Sequence, residues 1–178
     1  MDIQAIRDSL PDYARDLRLN LGSVLAPTGA PGLDEAQIWG IALASSIAAR
    51  SPVLTAAIER HAREHGGDAT VEAAKAAAAV MSMNNVYYRF LHLVGDEEYA
   101  RLPARLRMNV IAKPGIDKAG FELMSIAVSA INGCGMCIES HEKTLRAEGI
   151  GREAIQSAVR IAAVINAAAG TLAYEQAA

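Results

Sequence analysis

Hydrophobic residues recur every three or four positions along almost the whole chain, which is the period of an amphipathic α-helix. In the first segment this pattern runs from Ile3 to Leu21, with Pro11 as a break or a helix start. No segment sustains the alternation of hydrophobic and polar residues that marks a half-buried strand. The sequence therefore predicts an all-α fold.

Capping and loop residues divide this pattern into helices. Asp34 is a predicted N-cap for a helix that runs to about Arg50, and Ser51-Pro52 starts the next one. Gly66-Gly67 ends that second helix just after His65. The other helices are predicted from Asp68 or Thr70 to about Phe90 or Leu93, from Asp117 to about Ile131, from Cys134 to Ala147 and from Arg152 to Tyr174, with short helical pieces between Val94 and Lys113.

A faint internal repeat relates the two halves of the chain. A shift of 84 residues places Ser45, Ile47, Glu64, Gly67, Ala78, Ala79 and Val80 on Ser129, Ile131, Glu148, Gly151, Ala162, Ala163 and Val164. We therefore expect residues 1–178 to form one helical domain with a weak duplication, whose half-repeats are roughly 34–93 and 117–176. In this register Arg50 and Val53 take the positions of the two cysteines, so only the C-terminal half is expected to be reactive.

Composition narrows the class of protein. The 178 residues are 52% hydrophobic and 21% charged, which is typical of one globular domain with a substantial core. A net charge of −3 argues against nucleic acid as a partner. The N-terminal segment has no long apolar run for secretion, and the longest uncharged stretch, Leu123 to Ile138, is too short to cross a bilayer. We expect a soluble cytoplasmic protein with no membrane partner, in which a disulfide is catalytic more often than structural.

Both cysteines lie in one short segment, Cys134-Gly-Met-Cys137, and His141 follows four residues later. Such a pair can be part of a metal site, a structural disulfide or a redox pair. A structural zinc needs four ligands, and only one histidine is close in sequence. His61 and His65 are four residues apart, but they adjoin charged residues, so a solvated helix face is the favoured interpretation. No metal and no bound cofactor are predicted.

The redox interpretation fits the surroundings of the pair better. Cys134 begins a predicted helix, where unpaired amides and the helix dipole lower the pKa of a thiol. His141 shares a helix face with Cys137. A thioredoxin-like site is disfavoured because no strand precedes Cys134. Glu122, the only charge in a long apolar segment, lies either on an exposed edge or turned towards a site.

Glu122 followed by Cys134-x-x-Cys137-x-x-x-His141 resembles the signature of the alkylhydroperoxidase D (AhpD) family, in the carboxymuconolactone-decarboxylase-like superfamily. The resemblance covers nearly the whole chain. Further matching segments are Leu33-Asp-Glu-Ala-Gln-Ile-Trp-Gly40, Met81-Ser-Met-Asn-Asn-Val-Tyr-Tyr-Arg89, Leu106-Arg-Met-Asn109, Lys113-Pro-Gly115, Phe121-Glu-Leu123 and Ala127-Val-Ser-Ala-Ile-Asn-Gly-Cys134.

The resemblance implies an all-helical, internally duplicated fold that usually forms a homotrimer. It also assigns roles within the pair. The helix dipole alone favours Cys134 as the nucleophile, whereas the family pattern makes Cys137 the peroxidatic cysteine, which passes through a sulfenic acid, and Cys134 the resolving cysteine and proton donor. His141 and Glu122 then form the proton-transfer system. Some members carry a histidine where this chain has Met136, so one auxiliary proton-transfer group is absent here.

The predicted function is therefore an antioxidant, lipoyl-dependent thiol peroxidase that reduces alkyl hydroperoxides through a Cys134–Cys137 disulfide. The resemblance implies that electrons come from dihydrolipoamide carried on an acyltransferase and recycled by dihydrolipoamide dehydrogenase, and that a peroxiredoxin of the AhpC type can be a partner. No nucleotide fingerprint offers another electron source. The alternatives are a non-enzymatic redox sensor or adaptor and an enzyme of the carboxymuconolactone-decarboxylase type.

Overall fold

The computed structural model describes residues 2–177, which form helices joined by loops, with no strand among them. The prediction of an all-α fold is confirmed. The helices are α1 (Ile3–Ser9), α2 (Arg15–Val24), α3 (Glu35–Ala48), α4 (Pro52–Val94), α5 (Glu97–Arg101), α6 (Lys118–Ile131), α7 (Gly135–Ala147) and α8 (Arg152–Ala177).

Side-chain caps fix the starts of the main helices at the residues that the sequence indicated. Asp34 and Gln37 form a reciprocal capping box at the start of α3. Ser51 caps α4, with Pro52 as the first helical residue, and Asp117 accepts a hydrogen bond from the amide of Gly120 to cap α6. Each cap satisfies an amide that the first helical turn leaves without a partner.

The long helix α4 contains the break predicted at Gly66-Gly67. Gly67 has a φ of 71° and a ψ of −177°, a conformation that is essentially restricted to glycine. The helical hydrogen bonding resumes at once, so no loop separates the two parts. The glycine pair therefore bends α4 after His65, and it does not end the helix there as the sequence predicts.

Helices α3 and α6 form the centre of the domain and pack against each other, and both also pack against α4 and α8. Every residue from 38 to 46 in α3 and from 120 to 129 in α6 is buried. A helix that is buried on all sides has no solvated face, so a charged side chain on it must find a partner inside the protein. Glu122 is the buried charged residue of α6, and its partner lies inside the protein.

Helix α8 contains the most membrane-like sequence of the part of the chain that the structure describes. Residues 152–175 have a mean hydropathy of 1.3 over their most apolar 18-residue window, and half of that window is buried inside the domain. By length and composition this helix could cross a membrane. Its apolar face packs against α2, α3 and α6, which is the arrangement of a core helix.

The junction between α3 and α4 has the same backbone geometry as the junction between α6 and α7. Arg50 and Gly133 both have positive φ, at 56° and 66°. The next residues, Ser51 and Cys134, have φ and ψ of −107° and 95° and of −92° and 90°, and both cap the following helix. In the backbone geometry, Ser51 and Leu54 therefore correspond to Cys134 and Cys137. The sequence repeat places Arg50 and Val53 at these positions, so the structural correspondence is shifted by one residue.

Candidate active site

The two cysteines occupy the first turn of α7. Gly133, with its positive φ, reverses the chain after α6, and Cys134 is the N-cap of α7. The Cys134 Sγ accepts a hydrogen bond from the amide of Cys137 at 3.3 Å. The two residues form a disulfide across a Cα–Cα distance of 5.3 Å, so the helix start itself holds the pair together.

The two sulfur atoms differ in what they can reach. Cys134 has no exposed surface, whereas Cys137 is 6% exposed and lines a cavity of about 440 Å³ that opens to solvent. Cys134 does not line this cavity. A small molecule in the cavity therefore meets Cys137, while Cys134, the N-cap residue of α7, is fully buried and does not line the cavity.

Glu122 on α6 and His141 on α7 form a buried pair beside the disulfide. The His141 Nδ1 and Glu122 Oε2 atoms are 2.6 Å apart, and both residues line the same cavity as Cys137. The sequence leaves Glu122 either on an exposed edge or turned towards a site, and in the structure it is buried and faces the site. A carboxylate and an imidazole at this distance share or exchange a proton, which is what general acid–base chemistry requires.

The second ring nitrogen of His141 faces a methionine. His141 Nε2 lies 3.3 Å from the Met81 Sδ, and within residues 2–177 no hydrogen bond joins His141 to either cysteine in this disulfide form. A thioether can only accept a hydrogen bond, and it does so weakly. Met81 therefore occupies the direction through which Nε2 would exchange a proton with a reactant in the cavity.

The rest of the cavity wall combines apolar side chains with a few polar ones, among them Asn84, Ser140 and Thr144. Met108, Ile111 and Met136 line it together with Met81. Asn84 also lines it, and its Oδ1 atom is buried without a hydrogen-bond partner among the described residues. A buried amide oxygen without a partner is uncommon in proteins, and it can accept a hydrogen bond from a reactant once the wall of the cavity moves to expose it. Sequence analysis missed both Met81 and Asn84 as site residues.

A second asparagine, Asn85, ties α4 to the turn that carries the cysteines. Asn85 donates to the Ser129 Oγ at 2.9 Å, and its own Oδ1 accepts from the side-chain amide of Asn132, also at 2.9 Å. The backbone oxygen of Asn132 accepts a hydrogen bond from Arg89 at 2.6 Å. These bonds hold the end of α6 against α4, directly before Gly133.

Substitution of Asn85 by alanine is expected to lower the free energy of unfolding by about 1–3 kcal/mol, because it leaves the buried Ser129 hydroxyl and the partly buried Asn132 amide without this partner. Urea denaturation will measure the loss. Ser82→Ala is the matched control, since the Ser82 side chain is exposed and bonds only to the backbone of its own helix. Equal stability of the two variants would show that the Asn85 bonds contribute nothing.

Comparisons with known proteins find relatives along nearly the whole chain. Residues 97–178, which include the cysteines and the Glu122–His141 pair, match the model of the carboxymuconolactone decarboxylase family. A protein of Rhodospirillum centenum is 54% identical over 99% of this chain and 94% of its own length. Relatives from Maricaulis maris (54%; 98% of this chain, 99% of its own) and Streptomyces coelicolor (52%; 98% and 97%) are similar throughout. All three are named alkyl hydroperoxide reductase AhpD.

Proposed function

Because the chain belongs to the AhpD family, we propose that it is a thiol peroxidase that reduces alkyl hydroperoxides with a cycling Cys134–Cys137 disulfide. One observation carries the proposal. Of the two buried cysteines only Cys137 lines the cavity of about 440 Å³, and the same cavity is lined by the Glu122–His141 pair. A nucleophile, a proton-transfer pair and room for a substrate are thus in one place.

The oxidative half of the cycle begins with the Cys137 thiolate. It attacks one oxygen of the hydroperoxide, the O–O bond breaks, and the leaving alkoxide takes a proton to become the alcohol. Cys137 is then a sulfenic acid. The Cys134 thiol condenses with it, which releases water and forms the disulfide that the structure contains.

Glu122 and His141 supply what these steps need besides the thiols. An ordinary thiol is only a few per cent ionised at neutral pH, so a base must remove the proton of Cys137, and an acid must protonate the alkoxide. The coupled carboxylate and imidazole can do both in turn. In this scheme the Met81 sulfur leaves Nε2 when a reactant enters, and the cavity then connects that nitrogen with Cys137.

The wall of the cavity favours an organic hydroperoxide over a very polar substrate. Methionine side chains at 81, 108 and 136 are flexible and polarizable, and they can pack around alkyl groups of different shape. When a reactant enters and the side chains of the wall move, the buried Oδ1 of Asn84 becomes an acceptor for the terminal hydroxyl of the hydroperoxide. That contact would orient the O–O bond relative to the Cys137 sulfur.

The disulfide must then be reduced by a dithiol donor. We propose dihydrolipoamide, carried on an acyltransferase and recycled by dihydrolipoamide dehydrogenase, with an AhpC-type peroxiredoxin as a second partner that the reduced pair can regenerate. In this proposal the protein acts in the cytoplasm as a homotrimer. One donor dithiol is oxidised for each hydroperoxide reduced, which balances the electrons of the cycle.

Peroxide consumption measured with several thiol donors separates this function from its alternatives. A peroxidase turns over many equivalents of hydroperoxide for each protein chain. A redox sensor or adaptor consumes one equivalent and stops at the disulfide. An enzyme of the decarboxylase type keeps its activity on a lactone substrate when both cysteines are replaced by serine. Stoichiometric consumption with every donor would refute the proposed function.

Glu122→Gln is expected to slow peroxide reduction by about 10²–10⁴-fold, because the substitution keeps the shape of the side chain but removes its charge and its proton affinity. Steady-state rates from pH 5 to 9 will measure the loss. The pH dependence of the rate should change as well, since the proton no longer passes between Glu122 and His141.

Glu139→Gln is the matched control for this variant. Glu139 lies on α7, close in sequence to His141, but its side chain is exposed. The Glu139→Gln substitution should leave both the rate of peroxide reduction and its pH profile unchanged. If Glu122→Gln behaves like Glu139→Gln, the Glu122–His141 pair has only a structural role.

A further inference from the structure

A second cluster of possible ligands lies on α4, away from the cysteines. His61, Glu64 and His65 occupy one turn and a quarter of this helix, ahead of the bend at Gly67. One ligand atom from each lies within 4.8 Å of the other two. Glu35, in the first turn of α3, adds a fourth group, because its Oε2 atom is 3.3 Å from the His65 Nδ1.

The spacing of these residues suits a tetrahedral cation. Residues three and four positions apart share a helix face, so His61, Glu64 and His65 project to the same side of α4. Bond lengths of 2.0–2.1 Å around zinc place neighbouring ligand atoms about 3.3–3.5 Å apart. The separation of 3.9 Å for His61 and Glu64 is close to this value, and the three α4 ligands lie within 4.8 Å of one another. Glu35 contacts His65 at 3.3 Å, and its carboxylate must rotate towards the other two ligands to complete the set.

An aromatic ring holds the two imidazoles in place. The Trp39 ring stacks on His61 with a centroid separation of 4.3 Å and an interplanar angle of 16°, and the ring of His65 lies nearly parallel at 6.0 Å. Trp39 is itself buried in α3. The histidines are therefore partly ordered before any ligand arrives, which reduces the entropy lost on binding.

The neighbouring charges leave these groups available to a cation. Arg63 pairs with Glu59 and Asp68, so it does not compete for Glu64.

We propose that His61, Glu64 and His65 bind a divalent cation of the zinc class, with Glu35 of α3 as the fourth ligand. Two imidazoles and two carboxylates suit zinc, nickel or cobalt better than magnesium or calcium. This assignment revises the expectation that the two histidines form only a solvated helix face. A bound cation would join the start of α3 to the first part of α4, independently of the redox state of the cysteines.

Trp39 makes the site directly measurable, because it is the only tryptophan of the chain. Nickel bound at His61 will lie next to the indole and quench its fluorescence. Titration of the untagged, oxidised protein with Ni²⁺ should therefore give a saturable loss of fluorescence, and Zn²⁺ should compete for the same site. His65→Gln and Glu64→Gln should each weaken binding by about tenfold or more, the order of effect seen when groups around a metal are removed.

The matched control is His92→Gln, an exposed histidine on the same helix and outside the cluster, which should leave binding unchanged. Glu35→Gln should also weaken binding by about tenfold, which tests the fourth ligand separately. Side chains 35, 64 and 65 are at the surface, and far-UV circular dichroism will verify that these variants fold. The proposal fails if the wild-type protein shows no saturable quenching, or if His65→Gln binds Ni²⁺ as tightly as His92→Gln does.

Discussion

A Cys134→Ser variant treated with an alkyl hydroperoxide will accumulate a sulfenic acid on Cys137. The sulfur of Cys137 lines the cavity, so it meets the peroxide, and without Cys134 no thiol is present to condense with the product. A sulfenic-acid-specific reagent followed by peptide mass spectrometry will locate the adduct. Catalytic turnover should fall to the background rate, because the disulfide that the donor reduces can no longer form.

The reciprocal variant, Cys137→Ser, is the control for this assignment. Its remaining sulfur, that of Cys134, is fully buried and lies under the amide of residue 137. We expect no adduct on the time scale at which Cys137 is modified. An adduct on Cys134 that forms at an equal rate would reverse the assignment and favour the thiol that the helix dipole activates.

Dihydrolipoamide should support peroxide turnover faster than thioredoxin by about tenfold or more, a difference of ~1.4 kcal/mol in activation free energy. The donor must reach Cys137, which is 6% exposed in a recessed cavity. A lipoyl arm is a slim dithiol, whereas thioredoxin presents its cysteines on a folded surface. Oxidation of NADH, coupled through dihydrolipoamide dehydrogenase or thioredoxin reductase, will give both rates.

The chemistry at the turn explains why a dithiol should act at Cys137. Attack on the Cys137 sulfur expels Cys134 as a thiolate, and the amide of Cys137 donates a hydrogen bond to that sulfur at the start of α7. A stabilised thiolate leaves readily. The second thiol of the donor then closes its own ring and releases the enzyme.

Glutathione, used as the donor in the same assay, distinguishes the effect of access to Cys137 from the effect of having two thiols. It is small enough for the cavity but has one thiol, so it should also be slow. Fast turnover with glutathione would show that access alone limits the donor. Faster turnover with thioredoxin at matched concentration would contradict both the recessed site and the lipoyl proposal.

The helix boundaries were predictable because they depend on local groups. Asp34, Ser51 and Asp117 cap helices through hydrogen bonds that span three residues, and such contacts can be identified from sequence spacing. Burial in α8 depends on helices that are distant in the sequence.

The site was predictable only in part, for the same reason. An acid in a buried helix must have a partner, so Glu122 could be selected as a candidate. That the partner is His141 depends on how α6 and α7 pack. Met81 and Asn84 come from α4, far away in sequence, and the local signals were two adjacent asparagines in an alanine-rich helix and the family resemblance of residues 81–89.

The junctions before α4 and α7 have the same backbone geometry but different side chains, so they show which part of the reactive turn its chemistry depends on. Ser51 and Leu54 occupy the positions of Cys134 and Cys137, and in the same register Trp39 and Ile58 occupy those of Glu122 and His141. Both turns have the same fold, yet one carries only a hydroxyl cap and packed apolar side chains. The turn before α4 is thus an unreactive counterpart of the turn before α7 within the same molecule. Peroxide chemistry therefore requires the four side chains in addition to the backbone of the turn.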